Sequence, residues 1–466
     1  QKGFTSGSVS LQKEKSVGYL SQDIDFVSGC TVLEEAEKAF PRIKHLQKEL
    51  IHLQEALVTR TDYESDAYLD LINQSADAEH ELNLIKGLFF LFGLLIMSWV
   101  PRFPEVKANL KLTNGEFGSL VSMGAIGNLV ALLTVGHLVH KYGARWMLHL
   151  GAFLLATSLV FLTHSTSSLL FLVFIIIQGG AISAFHISIN SQGFFYQDRT
   201  KKQIITLLSG FWSSGALISS IIAGLLVDRV ALDTYTNFLS AFCFVAMSMI
   251  IHRISPNLVK ADLNPDSEHR ARDMFKGFTI DRHVSAALLL VIMLEYAVSD
   301  WAAIYVKEDM KIVGGIHTLP YILFTLAMIV GRLNLHNLLP RYSIDYLVVR
   351  ASLLSGLSFI VGIIAVSIVG TSNTTLVIVI LSISFTVAGL GSSFLGPSVM
   401  NAANTRSKFP SSVVIGQIGV INIALVFVVR WVIAWTAQAT SLTIALLIPA
   451  VMLLTVPYFA KIFKSA

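Results

Sequence analysis

Apolar residues from Leu84 to the C-terminus gather into about twelve stretches of roughly 17 to 24 residues, separated by short polar or glycine-bearing breaks. An α-helix of about 20 residues is about 30 Å long, the thickness of a bilayer's hydrocarbon core, so each stretch predicts a membrane-crossing helix. The predicted spans are 84–100, 117–139, 146–162, 169–189, 204–227 and 238–251, then 284–305, 319–335, 346–369, 376–394, 413–435 and 442–463. A long charged segment, Arg253 to Arg282, divides them six and six. The pattern predicts an all-α membrane protein of two six-helix bundles, residues 84–252 and 284–466, joined by a cytoplasmic linker at 253–283. Residues 1–83 lie outside that plan as a polar head.

Composition agrees with the pattern. At 54% hydrophobic, 14% charged and a mean hydropathy of +0.66, the chain falls outside the range of water-soluble globular domains. The net charge of +4 is unevenly spread, with an acidic head and a basic remainder. Cys30 and Cys243 offer no disulfide framework, and no basic, apolar, small-residue pattern of a signal peptide opens the chain. It begins at Gln1 rather than a methionine, as a trimmed piece would.

Loop charges orient the spans, because connections rich in Lys and Arg stay in the cytoplasm. Connections after even-numbered spans hold Lys141, Arg145, Arg199, Lys201, Lys202, Arg341, Arg406 and Lys408 besides the linker. Those after odd-numbered spans hold fewer, and three of them, around 163–168, 370–375 and 437–441, hold no Lys or Arg. Both termini are therefore expected in the cytoplasm, with the chain in the plasma or inner membrane of a bacterium.

A repeat ties the halves together. Gly136, His140, Lys141, Gly143 and Arg145 follow the second span, and Gly331, Arg332, His336 and Arg341 end the eighth. A glycine lets two helices approach, and the cations can engage helix C-termini and anionic headgroups. The arrangement resembles the G-x-x-x-D-R/K-x-G-R-R/K gating-loop motif of the major facilitator superfamily, with His140 at the acidic position and a degraded second copy. Gly180 to Gly193, Ser209 to Ala216, Glu295 to Tyr305 and Ala327 to Leu333 resemble the fucose-permease-like branch over about residues 84–466. The residue four before Asn190 is commonly acidic in that branch; here it is His186. The resemblance implies the twelve-helix major facilitator fold and solute transport by alternating access, without naming the solute.

The head has another character. Residues 6–23 predict two short strands, Thr31 with Glu34 makes a capping box, and Ile43, Leu46, Leu50, Leu53 and Leu57 form a stripe that wants a partner helix, together a small α/β and coiled-coil appendage. Residues 7–81 resemble a truncated ABC-F type ATPase piece, with Gln22 at its Q-loop position. The chain carries no G-x-x-x-x-G-K-[ST], ABC signature or Asp-Glu strand end, so no functional ATP site is expected.

Ionisable groups inside spans cost a few kcal/mol each to insert, so they face the bundle interior and mark function. Glu295 lies near the midplane of the seventh span and is the first candidate for proton coupling, although a carboxyl there can also merely fasten two helices. Asp300 and Trp301 lie further out on the same helix, where tryptophan is common at the membrane interface. His186 can exchange a proton near neutral pH or donate a single structural hydrogen bond. Asn190, Gln192, Gln178, Asn128, Gln417 and Asn422 offer donors and acceptors to a hydroxylated or zwitterionic solute, or join helices. Trp212 and Phe211 offer flat surfaces for stacking or packing. Arg430, beside Trp431 near the outer end of the eleventh span, is accounted for by snorkelling, and Arg102 between Pro101 and Pro104 reads as a hinge and gate feature.

The reading is a monomeric, proton-coupled secondary transporter of a small polar solute, sugar-like by the resemblance. Its partners are that solute, protons and the lipid bilayer; no enzyme activity, nucleic acid, metal or cofactor is expected. Export of drugs or metabolites is the alternative within transport, favoured by an apolar cavity near Glu295. A non-transporting receptor with a partner-binding coiled-coil head is the alternative outside it.

Overall fold

The computed structural model describes residues 66–200, 204–254, 281–406 and 411–463. The strands, capping box and leucine stripe expected of the head, and most of the linker, lie outside the described residues. The chain divides into two units, residues 1–76 and 77–466, and the second holds the membrane bundle.

Among the described residues, twelve helical segments are long and apolar enough to cross a membrane. Spans 1 to 6 are Glu79–Leu110, Asn114–Gly136, Ala144–His164, Ser168–Phe194, Leu207–Leu226 and Leu232–Arg253. Spans 7 to 12 are Arg282–Asp309, Gly315–Leu335, Ile344–Val369, Thr374–Ala403, Gln417–Ala439 and Leu442–Phe463. Large apolar side chains such as Leu169, Phe238 and Ile368 are exposed on the bundle, a surface suited to lipid and not to water.

Side-chain chemistry sets the ends. Thr113 and Glu116 form a reciprocal capping box that opens span 2, the Asp281 carboxylate accepts from the amides of His283 and Val284 at span 7, and Asn373 and Ser441 cap spans 10 and 12. Span 1 runs beyond its expected end at Val100. Pro101 and Pro104 break the α-helix into a 3-10 turn at Val100–Arg102 and a short helix at Phe103–Leu110, since proline lacks a donor yet suits a helix's first turn. The turns after spans 1 and 7 match: Lys111 and Lys311 both take left-handed backbone, at φ 54° and 55°. Each closes the same pattern, Lys107 with Lys111 and Lys307 with Lys311, a second mark of the repeat.

The two halves meet at the face carrying the turns after odd-numbered spans, the face that loop charges put outside. There the Lys107 Nζ pairs with Glu308 at 2.5 Å, the Asn114 amide donates to Gln438 at 3.1 Å, and the Trp435 indole donates to Ser119 at 3.0 Å. Trp301, 2% exposed, packs edge-on against Phe117 and lies over Gly118. Toward the opposite face, two arginines make contacts within their own halves. Arg145 donates to the carbonyls of Ile251 and His252 at the end of span 6, and Arg406 pairs with Asp281. The polar contacts named between the halves thus gather at the odd-turn face.

Candidate functional site

Spans 1 and 7 are the most enclosed of the twelve. Span 7 packs most of its surface on spans 10 to 12 and leaves one accessible stripe, in which Ile292, Glu295, Tyr296 and Ser299 recur at helical spacing. Two arginines reach this stripe from the neighbouring spans. Arg332 of span 8 places Nη2 3.6 Å from the Glu295 carboxylate, and both side chains are open, at 36% and 44% exposure. Arg430 of span 11 grips Asp300 through two bonds of 2.7 Å, with its guanidinium 5.4 Å from the Tyr296 ring. That second pair is closed, at 16% and 13% exposure.

The two pairs differ in kind. A forked arginine-carboxylate contact with two short bonds is saturated and geometrically fixed. A separation of 3.6 Å is an ion pair without a hydrogen bond, so the Glu295 carboxylate and the outer nitrogens of Arg332 keep capacity for other partners. Arg332 is steadied from behind, where its Nε donates to the Ser393 carbonyl at 2.8 Å. Gly331 makes that reach possible: a Cβ there would collide with the Ser393 side chain, so glycine lets span 8 lie against span 10. Tyr321 completes the rim toward the closed end. It is 4% exposed, its hydroxyl reaches Met97 of span 1 at 3.8 Å, and it lies among Ser220, Ser299 and Thr325.

Several sequence expectations meet a different placement. Arg430 does not snorkel; it turns inward because Asp300, more than a hundred residues away in the chain, offers it a partner. Trp301 is not an interface residue, since burial against Phe117 makes it part of the seal between halves. Gly136 packs against nothing within 4 Å of where a Cβ would stand, so the helix approach expected there is not made. Arg102 is 1% exposed, bound to Glu105 through two bonds and to the Val230 carbonyl, and it holds the broken end of span 1 to the turn after span 5.

The first half contributes separately. His186 is exposed, with its ring 6.1 Å from Phe92, while Asn190 donates to the His186 carbonyl on the same helix. Asn128 accepts from Ser183, joining spans 2 and 4, and Gln178 accepts from Ser158, joining spans 4 and 3. Gln192, Trp212 and Asn422 each bury a polar atom that has no hydrogen-bond partner among the described residues, and Gln417 is 5% exposed. Lys141 is exposed and Gly143 turns the chain between spans 2 and 3. The structure pairs Glu295 with Arg332 and Asp300 with Arg430 and shows no contact between either pair and His186. Sequence reasoning missed Tyr296, Ser299, Tyr321 and the role of Arg430. The available signal was stoichiometric, because two acids inside the second-half spans call for two cations.

Comparison with known proteins agrees with this architecture. A family model described as Major Facilitator Superfamily matches residues 87–422. The chain belongs to the major facilitator superfamily. It is a membrane transporter and not an enzyme. An uncharacterized MFS-type transporter of Yersinia pestis is 24% identical over 381 residues, covering 80% of this chain and 93% of that one. Membrane protein MosC of Rhizobium meliloti is 24% identical over 253 residues, 53% of this chain and 59% of that one. Among solved structures, nucleoside transporter NupG superposes with a TM-score of 0.63 at 16% identity, over 82% of this chain and 99% of that one. The inward-open xylose transporter XylE from E. coli does so at 0.61 and 12% identity, over 83% and 96%. At such identities the superpositions establish the fold alone.

Proposed function

We propose that this chain is a proton-coupled secondary transporter of a small polar solute in a bacterial inner membrane, with Glu295 as the proton carrier. The carrying observation is that Glu295 sits mid-span, accessible, and only loosely paired with Arg332. A carboxylate that must alternately gain and lose a proton needs water access and a partner it can release, and a saturated pair such as Asp300 with Arg430 provides neither. Arg332 pairs with it, and Tyr296, Ser299 and the Asp300–Arg430 pair follow along the same stretch of span 7, polar surroundings that favour a polar solute over an apolar drug. The resemblance to the fucose-permease-like branch and the nucleoside- and xylose-carrying neighbours support the same class.

With the even-turn face in the cytoplasm, the contacts that fasten the outer face and the open space beside Gly136 at the inner one support an inward-facing state. Alternating access then requires the contacts of Lys107, Asn114, Gly118 and Ser119 to part while the helix ends at Gly136 and Arg145 close on the second half. The test is Glu295→Gln in proteoliposomes. It abolishes pH-driven accumulation while solute counterflow stays measurable; undiminished proton-driven uptake removes Glu295 from the coupling role.

A further inference from the structure

We infer that the solute carries a single negative charge, a small hydroxylated carboxylate, and that Arg332 is the group that binds it. The inference rests on Glu295 as the proton carrier and adds what that proton does. Four ionisable side chains lie along this stretch of span 7 in two separate pairs. Asp300 and Arg430 cancel through two short bonds and stay closed. Glu295 and Arg332 cancel only while Glu295 is ionised. The other groups facing Glu295 are Tyr296 of its own helix and Tyr321 of span 8, neither of which supplies a charge.

The consequence is a strict accounting of charge. When a proton from water bonds to the Glu295 carboxylate, the ion pair with Arg332 is lost and one cation remains uncompensated among the spans. Water reaches Arg332 and offsets part of the cost, but losing its counter-ion among the spans still opposes proton uptake alone. A carboxylate arriving with the proton removes the opposition. Its two oxygens accept from the terminal nitrogens of Arg332, which make no hydrogen bond among the described residues, while Nε stays on the Ser393 carbonyl. When Glu295 gives its proton back to water, its carboxylate competes for the guanidinium and the solute leaves. Proton and anion therefore travel as a neutral pair, each raising the site's affinity for the other. A neutral sugar brings no compensating charge, and a phosphate dianion brings one too many.

The geometry already favours this use of Arg332. Its guanidinium is accessible, anchored at one nitrogen through Ser393 and 3.6 Å from its counter-ion, while Arg430 is spent on Asp300. Loss of the fork removes two charge-assisted hydrogen bonds and so weakens anion binding by roughly 100-fold or more.

The experiment is a thermal-shift titration of the purified full chain at pH 5.5 and 7.5 with size-matched probes: D-glucose against D-gluconate and D-glucuronate, and glycerol against glycerate. The expected result is stabilisation by the acid of a pair and not by its neutral partner, stronger at pH 5.5. Arg332→Gln loses that response and Arg332→Lys keeps part of it, with unliganded melting temperatures reported for both so that misfolding is visible. Glu295→Gln binds the acid equally at both pH values. Stabilisation by the neutral member, or by neither, overturns the proposal. So does an acid response undiminished in Arg332→Gln. If the acid binds through Arg332 yet Glu295→Gln keeps full proton-driven uptake, the anion site stands and the proton role of Glu295 falls. If a neutral solute is carried and Glu295→Gln uncouples it, the reverse holds.

Discussion

The seal at the odd-turn face makes a quantitative prediction at Gly118. A Cβ on this residue of span 2 would stand 2.7 Å from Cζ2 of Trp301 and would also press on the Ala434 methyl, both in the other half. Carbon atoms in contact keep about 3.5–4.0 Å, so Gly118→Ala forces the halves apart by roughly 1 Å. Trp301 cannot swing clear, because it is 2% exposed and held by Phe117. Overpacking of this kind costs about 1–3 kcal/mol, and here the cost falls on the outer-closed state alone. The equilibrium should therefore move toward the outer-open state by roughly 5- to 150-fold. The assay is a distance measurement between spin labels at Thr166→Cys and Ser372→Cys, exposed turns of the two halves, after Cys30 and Cys243 are replaced by serine. Gly118→Ala should enlarge the long-distance population. Gly210→Ala is the control, since nothing lies within 4 Å of its missing Cβ. An unchanged distance distribution with an unchanged melting temperature would refute the idea that Gly118 and Trp301 close this face.

Other expectations follow from the charge pairs. Asp300→Asn strands the Arg430 charge among the spans and should lower stability by about 3–5 kcal/mol; combining it with Arg430→Gln should recover much of the loss in detergent melting, and additivity would show that the pair is not coupled. Lys107→Glu places like charges together at the face between halves and should bias the labels toward longer distances, with Glu308→Lys in the same chain restoring them. The pair is partly exposed, so its contribution is about 1 kcal/mol or less and should fade with salt; a salt-independent effect would point to packing instead.

How far the sequence could be read depended on the range of the interaction. Span count and direction are local properties, set by apolar length and by charge beside each helix end, and the paired glycine segments marked two related halves. Glu295 was visible because a carboxylate within an apolar run is conspicuous. Arg430 was equally conspicuous, but its meaning depended on Asp300, and the chain gives no local sign that spans 7 and 11 are neighbours. Trp301 shows the same limit: indole is common at interfaces, and only the meeting of the halves over Gly118 makes it a seal. Gly331 and Gly136 occupy matching places, yet one is pressed against span 10 and the other faces open space, a difference that the packing of neighbouring helices sets. The sequence alone thus determined a twelve-span chain, its expected orientation and its internal repeat, since these follow from the free energy of placing each segment in lipid. Only the tertiary structure decided which charges cancel, which stay open, and which end of the bundle is shut, since those depend on contacts between helices far apart in the chain.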